Sequence, residues 1–430
     1  MSKFQAIVIG IFILCIVAGV IAFATYKGGS SSTSLPAITI WGTFPKNTFL
    51  AYVNKININR NEPLKVDYVF IPENVFDKVF IEALARGQGP DAILITQDLV
   101  YKHEDKIIPI PYTTLSERDY RSTFIQQGEL YLLPELGSLA LPFIIDPLIM
   151  YWNRDVFTNA GIAVFPKYWD EFSAIGERIN QKDANSNIRK SVLAMGEFSN
   201  ITNAREILGA LFLQAGNTVT YRQADDLSIV SSIGGTNKNS SILATEFFTR
   251  FSDPRNPDYS WNRSLSNSKS SFLSGNLATY IGFASEIFDI RQKNPNIDFD
   301  IAQLPQARGS KNRVTYGSLY GFSIVRSSGN PGGVYSVLDL LLASDSLSEF
   351  VNISYLPPVK REMISRGSKD PYLSIFYDSA LISKGWLDTN IYESTRIFKN
   401  MTESISSGRK TIEDAIQDAS DEYDISLSNI

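Results

Sequence analysis

A chain of 430 residues is too long for one ordinary core, so two or three lobes are expected. Hydrophobic residues make up 44% of it and aromatics 12%, which argues against a disordered chain, and a formal net charge of −5 gives no electrostatic reason to bind nucleic acid. With Cys15 and His103 each the sole residue of its type, an intrachain disulfide and a cysteine-based zinc site are excluded, and no nucleophile motif surrounds His103.

Residues 6–24 form an uncharged run between Lys3 and Lys27. About 20 apolar residues span a bilayer, whereas signal-peptide cores run to about 7–15. The length favours an uncleaved transmembrane anchor over residues 1–26. Ala22-Phe23-Ala24 has the A-x-A form of a cleavage site and keeps a removable signal sequence open. Either reading sends the bulk of the chain outside the cytoplasm, and the expected location is the cell membrane, with a single N-terminal anchor. Residues 27–36, rich in glycine and serine, read as a flexible tether.

Beyond the tether, residues 38–41 read as a strand, 42–46 as the loop at its carboxyl end, and 66–70 as a second strand. Val75, Phe76, Val79, Phe80, Ala83 and Leu84 make a helical stripe, which Gly87, Gly89 and Pro90 end. Residues 91–96 are an apolar third strand, giving a βαβ unit in a parallel-sheet lobe. Ligands of such sheets bind beyond the carboxyl ends of the strands, here at 43–46 and at the loop Gln97-Asp98. Two β-rich runs, 139–145 and 148–152, flank Asp146-Pro147. Proline donates no ladder hydrogen bond, so a break and a passage between lobes are expected there, not one long strand. Trp169, Phe172, Ile175 and Ile179 share a helical face, and Asp170 and Glu171 suit its first turn. Residues 155–215 read as mainly helical and 219–235 as a hairpin. Val334, Val337, Leu338, Leu341 and Leu342 make another helical stripe. Thr411 caps a last helix with Ile412, Ala415, Ile416 and Ala419 on one face.

The pattern P-x-x-x-D-x-x-x-x-Y-W-N-R-D-V-F…A-G-I…P-x-x-W-D-E-F, from Pro142 to Phe172, resembles the extracellular solute-binding proteins of ABC importers, in the cluster of sugar binders that includes maltose-binding protein. Residues 272–282, FLSGNLATYIG, resemble the family's F-x-x-G-x-x-A-M-x-x-x-G element, with Thr279 in place of the methionine. Residues 314–321 and 355–359 resemble its second and third crossings between lobes. The resemblance runs from about Ile38 to the C-terminus. It implies an α/β, two-lobe, periplasmic-binding-protein-like fold with hinge crossings, preceded by one N-terminal transmembrane helix. Lobe one would comprise 37–143 plus 319–355, and lobe two 146–316 plus 358–430.

The same resemblance implies capture of a small solute, a sugar or oligosaccharide, and delivery to ABC permease subunits in the membrane. ATP hydrolysis would belong to a separate subunit. Trp41 matches a tryptophan after the first strand, and Thr43 and Lys46 match a loop that contacts sugar hydroxyls. Asp98 matches a ligand-binding carboxylate and Asp146 an acidic cleft residue. Ser285 stands where the family has a stacking tryptophan, a departure that puts a maltose-like ligand in doubt. Trp261, Tyr316, Tyr320 and Trp386 are the aromatic faces left to replace it, and each also suits packing. Planar carboxylates accept two hydroxyl protons in directional bonds, and aromatic faces cover the C–H patches of a sugar. No cofactor, metal or catalytic residue is expected: no nucleophile–base pair or metal-ligand cluster stands out, and G-x-G-x-x-G and G-x-x-x-x-G-K-[ST] are both absent. A non-sugar solute (peptide, polyamine, glycerol-phosphate) and an anchored glycosidase with Asp98 and Asp146 as its carboxylate pair remain as alternatives.

Overall fold

The structure, a computed structural model, describes residues 35–58, 60–223, 228–310, 313–388 and 390–428. The expected anchor, Cys15 and most of the tether lie outside the described residues. Among the described residues, no helix is long and apolar enough to cross a membrane.

Three parallel strands start the main sheet: Ile38–Gly42 pairs with Val66–Phe70 on one side and with Ala92–Thr96 on the other. Every residue of Ala92–Thr96 is buried, as a central parallel strand with both faces covered requires. Helices Lys46–Asn57 and Glu73–Ala85 make the crossovers. The second helix buries only Phe76 and Phe80, four residues apart. Val75 and Val79, expected on the buried stripe, are exposed. One ring per turn, with Leu84 half-buried against the core, seats this edge helix, and Val75 and Val79 face water.

Two long strands tie this half to the other. Thr315–Val325 runs antiparallel to Ala92–Thr96 through Tyr320–Ile324, and antiparallel to Leu141–Asn153 through Gly317–Phe322. Leu141–Asn153 then continues beside Thr279–Phe283 and Phe299–Gln303. The result is a nine-stranded mixed sheet whose two ends each carry their own helices, an α/β fold of two lobes.

The expected break at Pro147 does not occur: Leu141–Asn153 is one strand of 13 residues, all but Trp152 buried. The reason lies in the register. Pro147 is the last residue on the ladder with Thr315–Val325, opposite Gly317, and Leu148 is the first opposite Thr279–Phe283. The missing N–H therefore falls where the strand changes partners, which costs little.

Residues 155–215 are less helical than expected. Helices Arg154–Asn159, Glu171–Ile179 and Ala204–Gln214 are separated by a two-stranded ribbon, Gln181–Lys182 with Ile188–Lys190, and by irregular chain. Asp183 makes the ribbon's turn: its Oδ1 accepts from the backbone N–H groups of Asn185 at 2.9 Å and Asn187 at 3.0 Å. The hairpin expected at 219–235 is present as Thr220–Arg222 paired with Ile229–Ser231. Thr411 caps the last helix, its Oγ1 accepting from the Asp414 N–H at 3.2 Å.

Candidate functional site

At the carboxyl end of Ala92–Thr96 the chain does not loop but turns directly into a short helix, Gln97–Lys102. This aims two polar side chains into the space between the lobes. Gln97 is fully buried and satisfied: Nε2 donates to the Tyr316 hydroxyl at 3.0 Å, and Oε1 accepts from the Leu319 N–H at 2.7 Å and from Gln127 Nε2 at 3.2 Å. It thereby pins the first lobe to the strand Thr315–Val325. Asp98, 6% exposed, is not satisfied. Its Oδ1 accepts no hydrogen bond, and its Oδ2 lies 3.7 Å from Arg205, longer than a hydrogen bond.

Arg205 comes from the other lobe. It stands in the first turn of Ala204–Gln214, a helix buried on almost every side. A cation in such a helix must be paired. Its guanidinium donates to Asp388 Oδ2, to Glu206 Oε1 at 2.9 Å and to Ser394 Oγ at 2.9 Å, and it lies 4.6 Å from the centre of the Trp386 ring. Trp386 in turn lies 5.0 Å from the Tyr316 ring. Burial pushes the Asp98 carboxyl well above the usual carboxylate range. Arg205 pulls it back, and Asp388, Glu73 and Glu206 push it further up. The guanidinium itself is held well above its ordinary value by Asp98, Asp388 and Glu206, against the opposing effect of burial.

Asp146 sits about midway along Leu141–Asn153, opposite Ser318. It is buried, and its Oδ1 accepts from the Ser285 N–H at 3.0 Å. Burial raises its carboxyl to about 7, while the Ser285 hydroxyl and backbone hold it back. Ser285 is exposed and acts here as the cap of that carboxylate.

The other expected residues fall as follows. Trp41 is half-buried on the first strand, against the core. Thr43 follows that strand with its Oγ1 buried and without a partner. Lys46 is exposed as the first residue of a helix, not part of the loop. Tyr320 is half-buried and meets Phe44 edge-to-face, ring centres 5.4 Å apart. Trp261 is enclosed in the second lobe's own core, its Nε1 donating to Asn200 Oδ1 at 3.1 Å. The structure thus brings Asp98, Tyr316 and Trp386 into one cluster and sets Asp146 with Ser285 beside the long strands. Trp261 and Lys46 stand apart from the cluster.

Arg205, Asp388 and Glu206 are the members of the cluster that sequence reasoning missed. The signal for Arg205 was a lone cation opening the apolar run AREILGALFLQ. Chemically, the cluster offers hydrogen-bond acceptors in excess of donors and an aromatic floor already covered by Arg205.

A family model described as bacterial extracellular solute-binding protein matches residues 46–346. Binding proteins of Brucella abortus and Brucella suis are 20% identical over 383 residues, 85% of this chain and 87% of theirs. Among solved structures, a cyclo/maltodextrin-binding protein complexed with maltotetraose superposes with a TM-score of 0.71 at 16% identity, covering 92% of this chain and 98% of that one. The cyclic alpha-maltosyl-1,6-maltose binding protein from Arthrobacter globiformis gives 0.71 at 15% identity, with 92% and 100% covered. CpMnBP1 with mannobiose bound gives 0.68 at 16%, with 90% and 99% covered.

Proposed function

The chain belongs to the bacterial extracellular solute-binding proteins, and from that premise we propose that it captures a sugar or oligosaccharide between its lobes and hands it to an ABC permease. Membership of the family puts the folded domain outside the cytoplasm. The observation that carries the sugar reading is the pair of buried carboxylates, Asp98 and Asp146, at a strand's carboxyl end and on a strand shared by both lobes. Asp98 keeps one oxygen without a donor, Asp146 is met by uncharged donors alone, and hydroxyl groups supply further donors. The oligosaccharide binders that share the fold support the same reading. The family's members bind rather than transform their solutes.

The working division is the one that the crossings suggest: residues 37–143 with 319–355 as one lobe, and 146–316 with 358–430 as the other. Residues 1–26 would hold the domain at the membrane, and 27–36 would give it reach toward the permease. The test is a thermal-shift screen of the protein across neutral, aminated and acidic oligosaccharides. A ligand that binds only the folded state raises the melting temperature, by about 2.7 kcal/mol of added stability at a hundredfold excess over Kd. If no sugar moves the melting temperature, the proposal falls.

A further inference from the structure

The charges at the seam do not balance. Arg205 is the cation that acts on Asp98, and Asp388, Glu206 and Glu73 act on it as further negative charges. The guanidinium gives its hydrogen bonds to Asp388, Glu206 and Ser394. Asp98 is left with a 3.7 Å approach and one buried oxygen without a partner. The neighbouring cation, Lys102, is held by Asp77, which also takes the ring of His103. Asp98 lines a small cavity of about 10 Å³, together with Glu73, Lys102 and Tyr392. That is room for one group the size of a water molecule. Asp146 differs: the N–H and hydroxyl of Ser285 and the N–H of Ala284 meet its carboxyl, and the nearby Glu286 is paired with Lys269.

A neutral hydroxyl would satisfy the orphan oxygen of Asp98 but would leave the excess charge. An anionic group would add to it. A protonated amine does both jobs: it donates up to three hydrogen bonds and cancels one charge. A metal ion fits less well, because among the described residues no three acidic, histidine or cysteine side chains converge to hold one.

We infer that the ligand presents a protonated amine to Asp98, so that the cargo is an aminated sugar rather than a neutral or acidic one. This rests on the sugar reading above for the rest of the ligand. The amine alone is shared by linear polyamines, so the test separates the two sources.

The full-length chain in detergent is titrated calorimetrically in an amine-free buffer with four probes: a glucosamine tetramer, its fully N-acetylated counterpart, maltotetraose and spermidine. The glucosamine tetramer is expected to bind at least about tenfold more tightly than its acetylated counterpart, the factor that one charge-assisted contact supplies. Asp98→Asn, checked for folding by its melting curve, should shrink that ratio to about threefold or less. Acetylated or neutral tetramers binding as tightly as the amine overturns the inference and leaves the sugar reading standing. Spermidine binding with no response to any sugar keeps the amine and overturns the sugar reading. No heat from any of the four overturns the inference, and the broader thermal-shift screen then decides the sugar reading by itself. Should Asp98→Asn not fold, the ratio in the unmodified protein already decides the matter.

Discussion

Asp146 is a carboxyl group that the fold holds in its neutral form over much of the accessible pH range. Its ordinary value is 3.8, and burial carries it to about 7 in the folded chain. The sign of the consequence follows from proton counting. Between these two values the folded state holds a proton that the unfolded state has lost, so stability falls as pH rises through this window. Above the folded value the penalty is complete, and below the ordinary value it vanishes. Asparagine mimics the neutral acid at every pH. The difference in unfolding free energy between Asp146→Asn and the unmodified protein should therefore shift in the variant's favour by about 2–3 kcal/mol from pH 5 to pH 8, measured by urea titration without ligand. A constant difference would mean that Asp146 ionises normally. In binding above pH 7, where the Asp146 carboxyl is ionised, replacement of Asp98 or Asp146 by alanine should weaken affinity for the cognate ligand by about 1.5–3 kcal/mol, the range for hydrogen bonds to charged groups. Normal affinity in both variants, read by calorimetry, would remove them from the site.

The helix Ala204–Gln214 carries the cluster at the next scale. It is apolar on nearly all sides, and Gly209 lies directly under the Trp386 indole. A Cβ added at Gly209 would stand 2.4 Å from two carbons of that ring. The ring is enclosed and bears the Arg205 guanidinium on it, so it has nowhere to move. Alanine is the better helix former by about 1 kcal/mol, but overpacking a rigid core costs about 1–3. Gly209→Ala should therefore destabilise the chain by up to about 2 kcal/mol net, and chemical denaturation at neutral pH checks it. A stabilised variant would mean that the indole gives way. This element also marks where the sequence stops being informative. The first three strands and the hairpin are legible because their apolar alternation and turn residues act locally. Pro147 is misleading because its effect depends on which strand lies beside it, and register is a long-range property. Arg205 is hard to find because its partners are Asp388 and Ser394, nearly 200 positions away. The sheet's core shows in the pattern of one segment, while the ionic cluster exists only once several segments have met.

At the scale of the whole molecule, the question is what holds the lobes together when no ligand is present. Among the contacts between described residues that cross the seam, two differ in their distance from the long strands. One is the Gln97 network, in which Tyr316, Gln127 and the Leu319 backbone all meet one amide. It sits beside the long strands, at the axis about which lobes of this topology would swing, so it can persist through a small rotation. The other lies further out. Arg222, on the hairpin, donates to Glu104 at 2.9 Å and lies 5.3 Å from the centre of the Tyr101 ring. The Glu104 side chain is a third exposed, and a pair of this kind contributes about 0–1 kcal/mol. That shifts an open–closed equilibrium by no more than about fivefold. Asp98 opposes closure, since bringing it beneath Arg205 buries a carboxylate with one oxygen unpaired. A ligand that satisfies Asp98 from one lobe and touches Arg205's neighbours on the other removes that penalty, and closure follows from its differential affinity for the closed state. Solution scattering on the protein should accordingly give a smaller radius of gyration at saturating ligand than without it. Glu104→Gln should change ligand affinity by less than about fivefold and leave the contraction intact. If the radius is the same with and without saturating ligand, the lobes do not close on cargo. If Glu104→Gln alone abolishes the contraction, the outer ion pair and not the ligand drives closure.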